Sequence, residues 1–226
     1  YQAGCWKALH ESGYRPDLLV GTSAGAINAT MIAAGLGPDD MTRWWGRLRT
    51  KDLIRLRRDY WRLASWTGLH DAARLRKLIT ANLDVAAVRA SGVRLLFTAV
   101  DLLRSEEVVF DGRAFEIDHL MASMALLPGL PPVQIGERLL ADGGHWNAFP
   151  LHVALEAGAS EIVGLLHDPL QAHAEPAPMR MTALLRRLSD LAWHAQQRNS
   201  LETLTMRTRL SPEDFDWLPP FTLTLH

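Results

Sequence analysis

One short stretch, residues 16–35, constrains this chain more than any other part of the sequence. It reads PDLLVGTSAGAINATMIAAG, an apolar run that leads through Gly21 and Gly25 into an alanine-rich segment with helical spacing. A short apolar run bounded by glycine is typical of a strand, and the alanine-rich segment favours a helix. Ser23 is therefore predicted to lie at a sharp strand-to-helix turn, the context in which a GxSxG serine serves as a nucleophile.

The residues around Ser23 suit chemistry at an ester or amide carbonyl. Where a strand turns sharply into a helix, the backbone approaches its neighbours too closely for a Cβ atom, and we expect Gly21 and Gly25 to meet this need. The first N–H groups of the helix point toward the serine, so the backbone N–H of Ala24 is a candidate oxyanion-hole donor. A tight glycine turn capped by a serine is the alternative explanation of the same pentapeptide.

Composition narrows the class of protein. The chain has 226 residues, 48% of them hydrophobic, which is enough for one domain with a substantial core. Its formal net charge of −1 argues against a general polyanion-binding surface and hence against a nucleic-acid partner. A single cysteine, Cys5, permits no intramolecular disulfide and favours a reducing, cytoplasmic location. Apolar runs of about 18 residues, which would predict a membrane-spanning helix, do not occur.

Strand and helix patterns alternate along the first three quarters of the chain. Residues 93–100 and 106–110 predict a β-hairpin, residues 138–141 a short strand, and residues 162–166 a buried strand, with helical patterns between them. This alternation indicates an α/β fold around a largely buried sheet.

The last quarter differs in character. Residues 168–178 are rich in Ala, His and Pro and predict a connector, after which helical spacing runs over residues 179–209. Residues 211–226, which contain three prolines, predict an extended strap. We expect the long helix to bury an apolar face made of Leu184, Leu185, Leu188, Leu191 and Ala192.

A serine hydroxyl needs a base, and Asp142 is the candidate. It ends a short strand and precedes Gly143 and Gly144, an arrangement that presents a carboxylate at a sheet edge while the backbone turns away. An ordinary Asp-Gly turn is the alternative. His145 is a rival base in a Ser-His-Asp arrangement, but in α/β-hydrolases the nucleophile follows several strands, and Ser23 follows at most one.

Taken together, GTSAGAINA after the PDLLV strand and ADGGHWNAFP downstream resemble the motifs of the patatin-like phospholipase family, in its bacterial type. Further similarity lies in YQAGCWKALHESG, in ASMALLPGLPPV with Ser123, and in Asn147 and Pro150. The resemblance covers residues 1–167. It implies a three-layer α/β/α fold with a mainly parallel central sheet and a nucleophile elbow.

The resemblance also implies an activity, that of a serine lipid acyl hydrolase of the phospholipase A, lysophospholipase or esterase type. Ser23 would be the nucleophile and Asp142 the base of a catalytic dyad, with no metal or cofactor and with a lipid or other acyl ester as substrate. An acyltransferase on the same dyad and a non-catalytic, membrane-associated module are the alternatives. The glycine-rich loop that supplies the family's other oxyanion donors is expected upstream of Tyr1. Because the N-terminal part is expected there, secretion stays an alternative to a cytoplasmic location.

Two further expectations concern organisation. We assign a catalytic core to residues 1–167, and a connector, long helix and strap packed on the same domain to residues 168–226. Residues 43–66, from Arg43 to Trp66, interleave arginines with tryptophans. Such a pattern usually packs its rings on the core, but it also suits peripheral contact with a membrane, where the rings lie at headgroup level and the cations meet phosphate.

Overall fold

The computed structural model describes residues 1–48, 55–56, 67–166, 181–208, 215–218 and 222–225. The chain divides into two compact units, Tyr1–Trp146 and Asn147–His226.

The first unit combines helices with a central sheet. Its helices are α1 (Gln2–Glu11), α2 (Ala24–Ala33), α3 (Pro38–Arg47), α4 (Ala73–Asn82), α5 (Val85–Arg89) and α6 (Ile117–Ser123). Its strands are β1 (Leu18–Thr22), β2 (Arg55–Leu56), β3 (His70–Asp71), β4 (Arg94–Asp101), β5 (Glu106–Asp111), β6 (Val133–Ile135) and β7 (Arg138–Asp142). Strands β2 and β3 pair only with each other among the described strands, and the other five form the central sheet. The predicted α/β class is confirmed.

The central sheet is arranged around β4. Strand β1 pairs with β4 in parallel, whereas β4 with β5, β4 with β7, and β6 with β7 are antiparallel. We expected a mainly parallel sheet, and the described pairings are mixed. The physical reason is that short turns join β4 to β5 and β6 to β7, and a short turn returns the chain antiparallel to itself.

The core of the first unit forms where α2 and neighbouring helices cover one face of β4. Every residue of β4 after Arg94 is buried, and Leu95 and Phe97 belong to the same cluster as Ala26, Met31 and residues of α4 and α6. Burying one such large apolar side chain contributes about 1.5–3 kcal/mol. The strand that positions the site is thus also the best buried strand of the unit.

The second unit contains α7 (Leu151–Glu156), β8 (Ile162–Leu165), α8 (Met181–Thr208), β9 (Phe215–Leu218) and β10 (Thr222–Leu225). The predicted strand over residues 162–166 is present as β8. It pairs with β10 in a separate antiparallel sheet in the order β8-β10-β9, and the predicted strap therefore contains strands. The boundary between the two compact units falls after Trp146, because α7 packs on α8 and β8 pairs with β10. The packing of residues 168–226 on the same domain as residues 1–167 stays a prediction. That catalysis belongs to residues 1–167 stays a prediction.

The predicted buried face of the long helix is wrong for its described leucines. Leu184, Leu188 and Leu191 are 43%, 62% and 46% exposed. The helix packs instead through its C-terminal half, where Leu201 and Leu204 contact Leu151. Helical spacing shows which residues share a face, but it does not show which element covers that face.

Candidate active site

Ser23 occupies the turn between β1 and α2 with an unusual backbone conformation. Its φ is 55° and its ψ is −122°, a region that side-chain-bearing residues adopt at a cost of about 1–3 kcal/mol. The residue is half-buried, and the first residue of α2, Ala24, is exposed. A strained serine at a strand-to-helix turn, with its side chain reachable from solvent, is the geometry of a nucleophile elbow.

The two glycines beside Ser23 do different things. A Cβ atom on Gly21 would lie 2.6 Å from both the carbonyl carbon and the carbonyl oxygen of Gly25, so only glycine fits there. A Cβ atom on Gly25 would meet no described atom within 4 Å. The expectation that both glycines relieve crowding is wrong for Gly25, because a Cβ atom on Gly21 would point at the backbone of α2, whereas a Cβ atom on Gly25 would point into open space.

The pairing register of β4 brings the two motifs together. Thr22, the last residue of β1, pairs with Thr98, and Asp142, the last residue of β7, pairs with the next residue, Ala99. Strand β5 occupies the opposite edge of β4 at these positions, so β1 and β7 lie on one edge and meet end to end. Ser23 and Asp142 therefore face each other across this junction.

Asp142 is buried, and two hydrogen bonds hold it in place. Its N–H donates to the Ala125 carbonyl at 3.1 Å, and its Oδ1 accepts the Gly144 N–H at 2.8 Å. Its Oδ2 has no partner of full hydrogen-bond geometry among the described residues. The Ser23 hydroxyl nevertheless lies close enough to favour the ionised carboxylate. The contact between the Ser23 hydroxyl and Asp142 is therefore a loose one.

Burial determines the direction of the Asp142 titration. Removal from water raises the pKa of this carboxyl above its usual range, and the nearby Ser23 hydroxyl, the hydrogen bond from the Gly144 N–H and the nearby His145 offset part of that rise. A carboxylate with a raised pKa is a stronger base than an ordinary aspartate, which is the property a proton acceptor needs.

Two threonines explain why glycine follows Asp142. The hydroxyls of Thr22 and Thr98 are hydrogen-bonded at 2.7 Å in the buried interior. A Cβ atom on Gly143 would overlap the hydroxyl and the backbone carbonyl of Thr98. Gly143 thus allows the chain after Asp142 to pass directly over β4.

His145 is not placed as a general base. The residue is exposed, and its Nε2 accepts the N–H of Leu127 at 3.0 Å, so the lone pair needed to take a proton from serine is already in use. This geometry favours the interpretation in which the histidine lies at the margin of the site over a Ser-His-Asp triad.

The sequence did not predict the contacts of three polar residues that surround the pair, although Ser123 belongs to one of the motifs that resemble the family. Thr22 and Thr98 fix the ends of β1 and β4, and Ser123 Oγ accepts the Ser23 N–H at 3.2 Å. Thr98 could have been noticed as the one uncharged polar residue within the apolar strand VRLLFTAV. Within the described parts of the chain, no cluster of three or more His, Cys, Asp or Glu side chains could hold a metal ion.

The arginine- and tryptophan-rich segment is described only in part. Trp44 and Trp45, in α3, pack against the core, and Trp45 Nε1 donates to Asn28 Oδ1 at 2.7 Å. Arg43 pairs with Asp40. Residues 49–54 and 57–66, which carry most of the predicted membrane contact, lie outside the described residues.

Fold and site define an α/β protein with a nucleophile elbow facing a buried carboxylate. The family model of the patatin-like phospholipases matches residues 1–155, and the chain belongs to this family. The three-layer α/β/α fold and the resemblance seen in the motifs are thereby confirmed. None of the described helices combines the length and the apolar character needed to cross a membrane.

Relatives among known proteins agree with this assignment. An uncharacterized NTE family protein of Mycobacterium bovis is 29% identical over 151 residues, which cover 66% of this chain and 40% of the relative. An uncharacterized NTE family protein of Mycobacterium tuberculosis matches to the same extent. The matched region thus spans less than half the length of these relatives.

Proposed function

We propose that this protein is a lipid acyl hydrolase in which Ser23 and Asp142 act as a catalytic dyad. Ser23 Oγ attacks the carbonyl carbon of an ester while its proton passes to Asp142 Oδ2. The tetrahedral intermediate collapses, the alcohol leaves with that proton, and an acyl-serine remains. Water then attacks the acyl-serine and gives its proton to Asp142. The bond between the acyl carbon and Ser23 Oγ breaks, Asp142 returns the proton to Ser23 Oγ, and the fatty acid is released.

The observation that carries the proposal is the junction on β4. Consecutive residues of one buried strand, Thr98 and Ala99, hold the ends of the strands that present Ser23 and Asp142. Backbone pairing fixes Asp142 directly and fixes Ser23 through the preceding residue, Thr22. Positioning of this kind supplies a large share of the rate enhancement in acyl transfer.

The environment of each group supports its role. The Oδ2 atom without a full partner is the position where a serine proton can be accepted, and the raised pKa of Asp142 favours that transfer. Ala24, at the N-terminus of α2, is the proposed oxyanion donor, since the first N–H groups of a helix lack intrahelical partners.

The finer parts of the proposal concern substrates and surroundings. Family membership supports lipid esters as the substrate class. Residues 43–66 are also proposed to make peripheral contact with a membrane. Because Trp44 and Trp45 pack on the core, the residues after Leu48 are the ones proposed to make this contact.

The test combines a serine-directed fluorophosphonate probe with ester hydrolysis. We expect the probe to label Ser23 in the wild type, and Ser23→Ala and Asp142→Asn each to lower kcat by about 10³-fold or more. Ser105→Ala is the matched control, because Ser105 is the other described serine with a positive φ, 53°, and lies in the β4–β5 turn. Its activity should equal that of the wild type.

Three outcomes would contradict the proposal or redirect it. Near wild-type turnover in Asp142→Asn would exclude the dyad. Failure of the probe to label an otherwise folded protein would favour the non-catalytic module. An acyl balance with added alcohols separates hydrolysis from transfer, because a transferase would place most of the acyl chain on the alcohol.

A further inference from the structure

Ser123 lies at a point where the proposed catalytic residues meet a third element. It is the last residue of α6 and is completely buried. Its Oγ accepts the backbone N–H of Ser23 at 3.2 Å, across 100 residues of sequence. Serine and threonine hydroxyls within helices ordinarily donate to a carbonyl one turn back, as Thr30 does to Ala26 at 2.7 Å. Ser123 instead receives a donor from the turn that carries the nucleophile.

This bond acts on the strained part of the turn. The Ser23 N–H belongs to the peptide group that joins Thr22 to Ser23, and the orientation of that group is one of the determinants of the positive φ at Ser23. A strained conformation persists only where its surroundings fix it. The hydrogen bond to Ser123 is one such constraint, and the direction of Ser23 Oγ depends on it.

The residues that follow Ser123 hold the other half of the site. Ala125, two positions later, accepts the Asp142 N–H through its carbonyl oxygen at 3.1 Å. One short segment, residues 123–125, therefore bonds to the backbone of Ser23 at one end and to the backbone of Asp142 at the other. A change in this segment alters the spacing of the two groups.

We infer that Ser123 is a positioning residue for the ester-cleaving reaction, and that it acts by holding the Ser23 backbone in register with Asp142. The inference rests on the proposed function of Ser23. Ser123 does not touch the substrate in this scheme. Its loss should therefore lower kcat far more than it raises KM, because the reacting atoms are misaligned while the surface that binds the acyl chain is unchanged.

The experiment compares Ser123→Ala and Ser123→Thr with the wild type. Ser123→Ala removes the acceptor, and we expect kcat per active site, counted by fluorophosphonate titration, to fall about 10–100-fold. KM should stay within about twofold of the wild type. Ser123→Thr keeps the hydroxyl and should retain most of the activity. Thr30→Val is the matched control, because it removes another buried hydroxyl bond, in α2, without touching the Ser23 N–H.

Counting active sites separates positioning from stability. A variant that is merely less stable loses titratable sites but keeps its kcat per site. A Ser123→Ala protein with wild-type kcat per site, or a Thr30→Val protein with an equal loss of kcat per site, would overturn the inference.

Hydrogen exchange of the Ser23 amide provides a readout that does not depend on activity. The amide should be protected in the wild type and in Ser123→Thr, and it should exchange faster in Ser123→Ala. Unchanged protection in Ser123→Ala would also overturn the inference. If the wild type neither cleaves esters nor reacts with the probe, the proposed function fails, and the exchange rates still decide whether Ser123 holds the Ser23 backbone.

Discussion

Ser23 and Asp142, the proposed catalytic residues, are destabilised in opposite ways. Ser23 is half-exposed and carries backbone strain, whereas Asp142 is fully buried in an ordinary strand and its cost is the desolvation of a charge. The backbone beside each residue is tightly packed: Gly21 lies close to α2, and Gly143 lies close to Thr98. Substitutions at these neighbours should reveal which contacts fix the site.

The contrast between Gly21 and Gly25 can be tested by stability alone. Gly21→Ala forces a Cβ atom against the Gly25 backbone, which cannot move aside as a side chain would. We therefore expect the free energy of unfolding to fall by about 1–3 kcal/mol. Gly25→Ala places its Cβ atom in open space within a helix and should be neutral or stabilising by up to about 1 kcal/mol. Urea unfolding of both variants measures the difference, and equal losses would contradict the packing described here.

The titration of Asp142 should be visible in the stability of the protein. Because burial raises the pKa of this carboxyl in the folded state, the folded protein binds the proton more tightly than the unfolded chain does, and the free energy of unfolding falls as pH rises through the raised value. The stabilisation of the folded protein by proton binding at Asp142 is fully present only below the pKa of this carboxyl in the unfolded chain, about 3.9. Asp142→Asn abolishes this titration.

We therefore expect Asp142→Asn to be more stable than the wild type at pH 8, although it is inactive. The difference should narrow as the pH is lowered toward 4, where the wild-type carboxyl also becomes neutral. Urea unfolding of the two proteins across this range checks the sign. If the difference in free energy of unfolding between the two proteins stayed constant or widened toward low pH, burial of the Asp142 carboxylate would not destabilise the folded protein.

Strand β4 connects the two halves of the site as a single element. It pairs with β1 up to Thr98 and with β7 from Ala99, so its register brings the ends of the strands that carry Ser23 and Asp142 together. The hydrogen bond between Thr22 and Thr98 lies next to this change of partner and stabilises the end of β1. A shift of register by one residue would turn these side chains to the opposite face of the sheet.

A double-mutant cycle tests the threonine pair. Thr22→Val or Thr98→Val leaves the other hydroxyl buried without its partner, and each should cost about 1–3 kcal/mol. The double variant replaces both groups by apolar ones of the same shape, so it should cost less than the sum of the single changes. Additive losses, measured by urea unfolding, would indicate that the two hydroxyls do not interact.

Local patterns predicted the elements better than their partners. The elbow, the β4–β5 hairpin and the strand ending at Asp142 follow from short-range rules on apolar runs and glycines, and each is present. The end-to-end meeting of β1 and β7 depends on long-range register, which a single sequence does not encode locally. The exposed leucines of α8 are a second example: their spacing showed that they share one face of the helix, but it did not show whether another element covers that face.

For the whole molecule, the proposed chemistry lies within the first compact unit. Ser23, Asp142 and Ser123 all belong to Tyr1–Trp146, and the family match continues into α7 of the second unit. Hydrolysis of a short, soluble ester should therefore depend on the first unit's own packing. Access to an aggregated lipid is a separate property, which can be changed without altering the reacting groups.

Binding to lipid vesicles separates these two properties. Residues 43–66 concentrate arginine and tryptophan, and each basic residue near an anionic surface contributes on the order of 1 kcal/mol. A variant with Arg55, Arg57, Arg58 and Arg62 changed to Gln should bind anionic vesicles at least about tenfold more weakly, because four such terms are lost together. Hydrolysis of a short soluble ester should be unchanged.

The matched control changes the same number of cations elsewhere. Arg74, Lys77, Arg94 and Arg113 are exposed outside the segment, and changing all four to Gln alters the net charge equally. Co-sedimentation at low and physiological salt should then show the wild type and the control bound alike and the segment variant released, with the difference largest at low salt because ions screen the attraction. Equal binding by all three proteins would assign the segment to the solvated surface, and equal weakening of both variants would show that overall charge, rather than this segment, attracts the protein to the membrane.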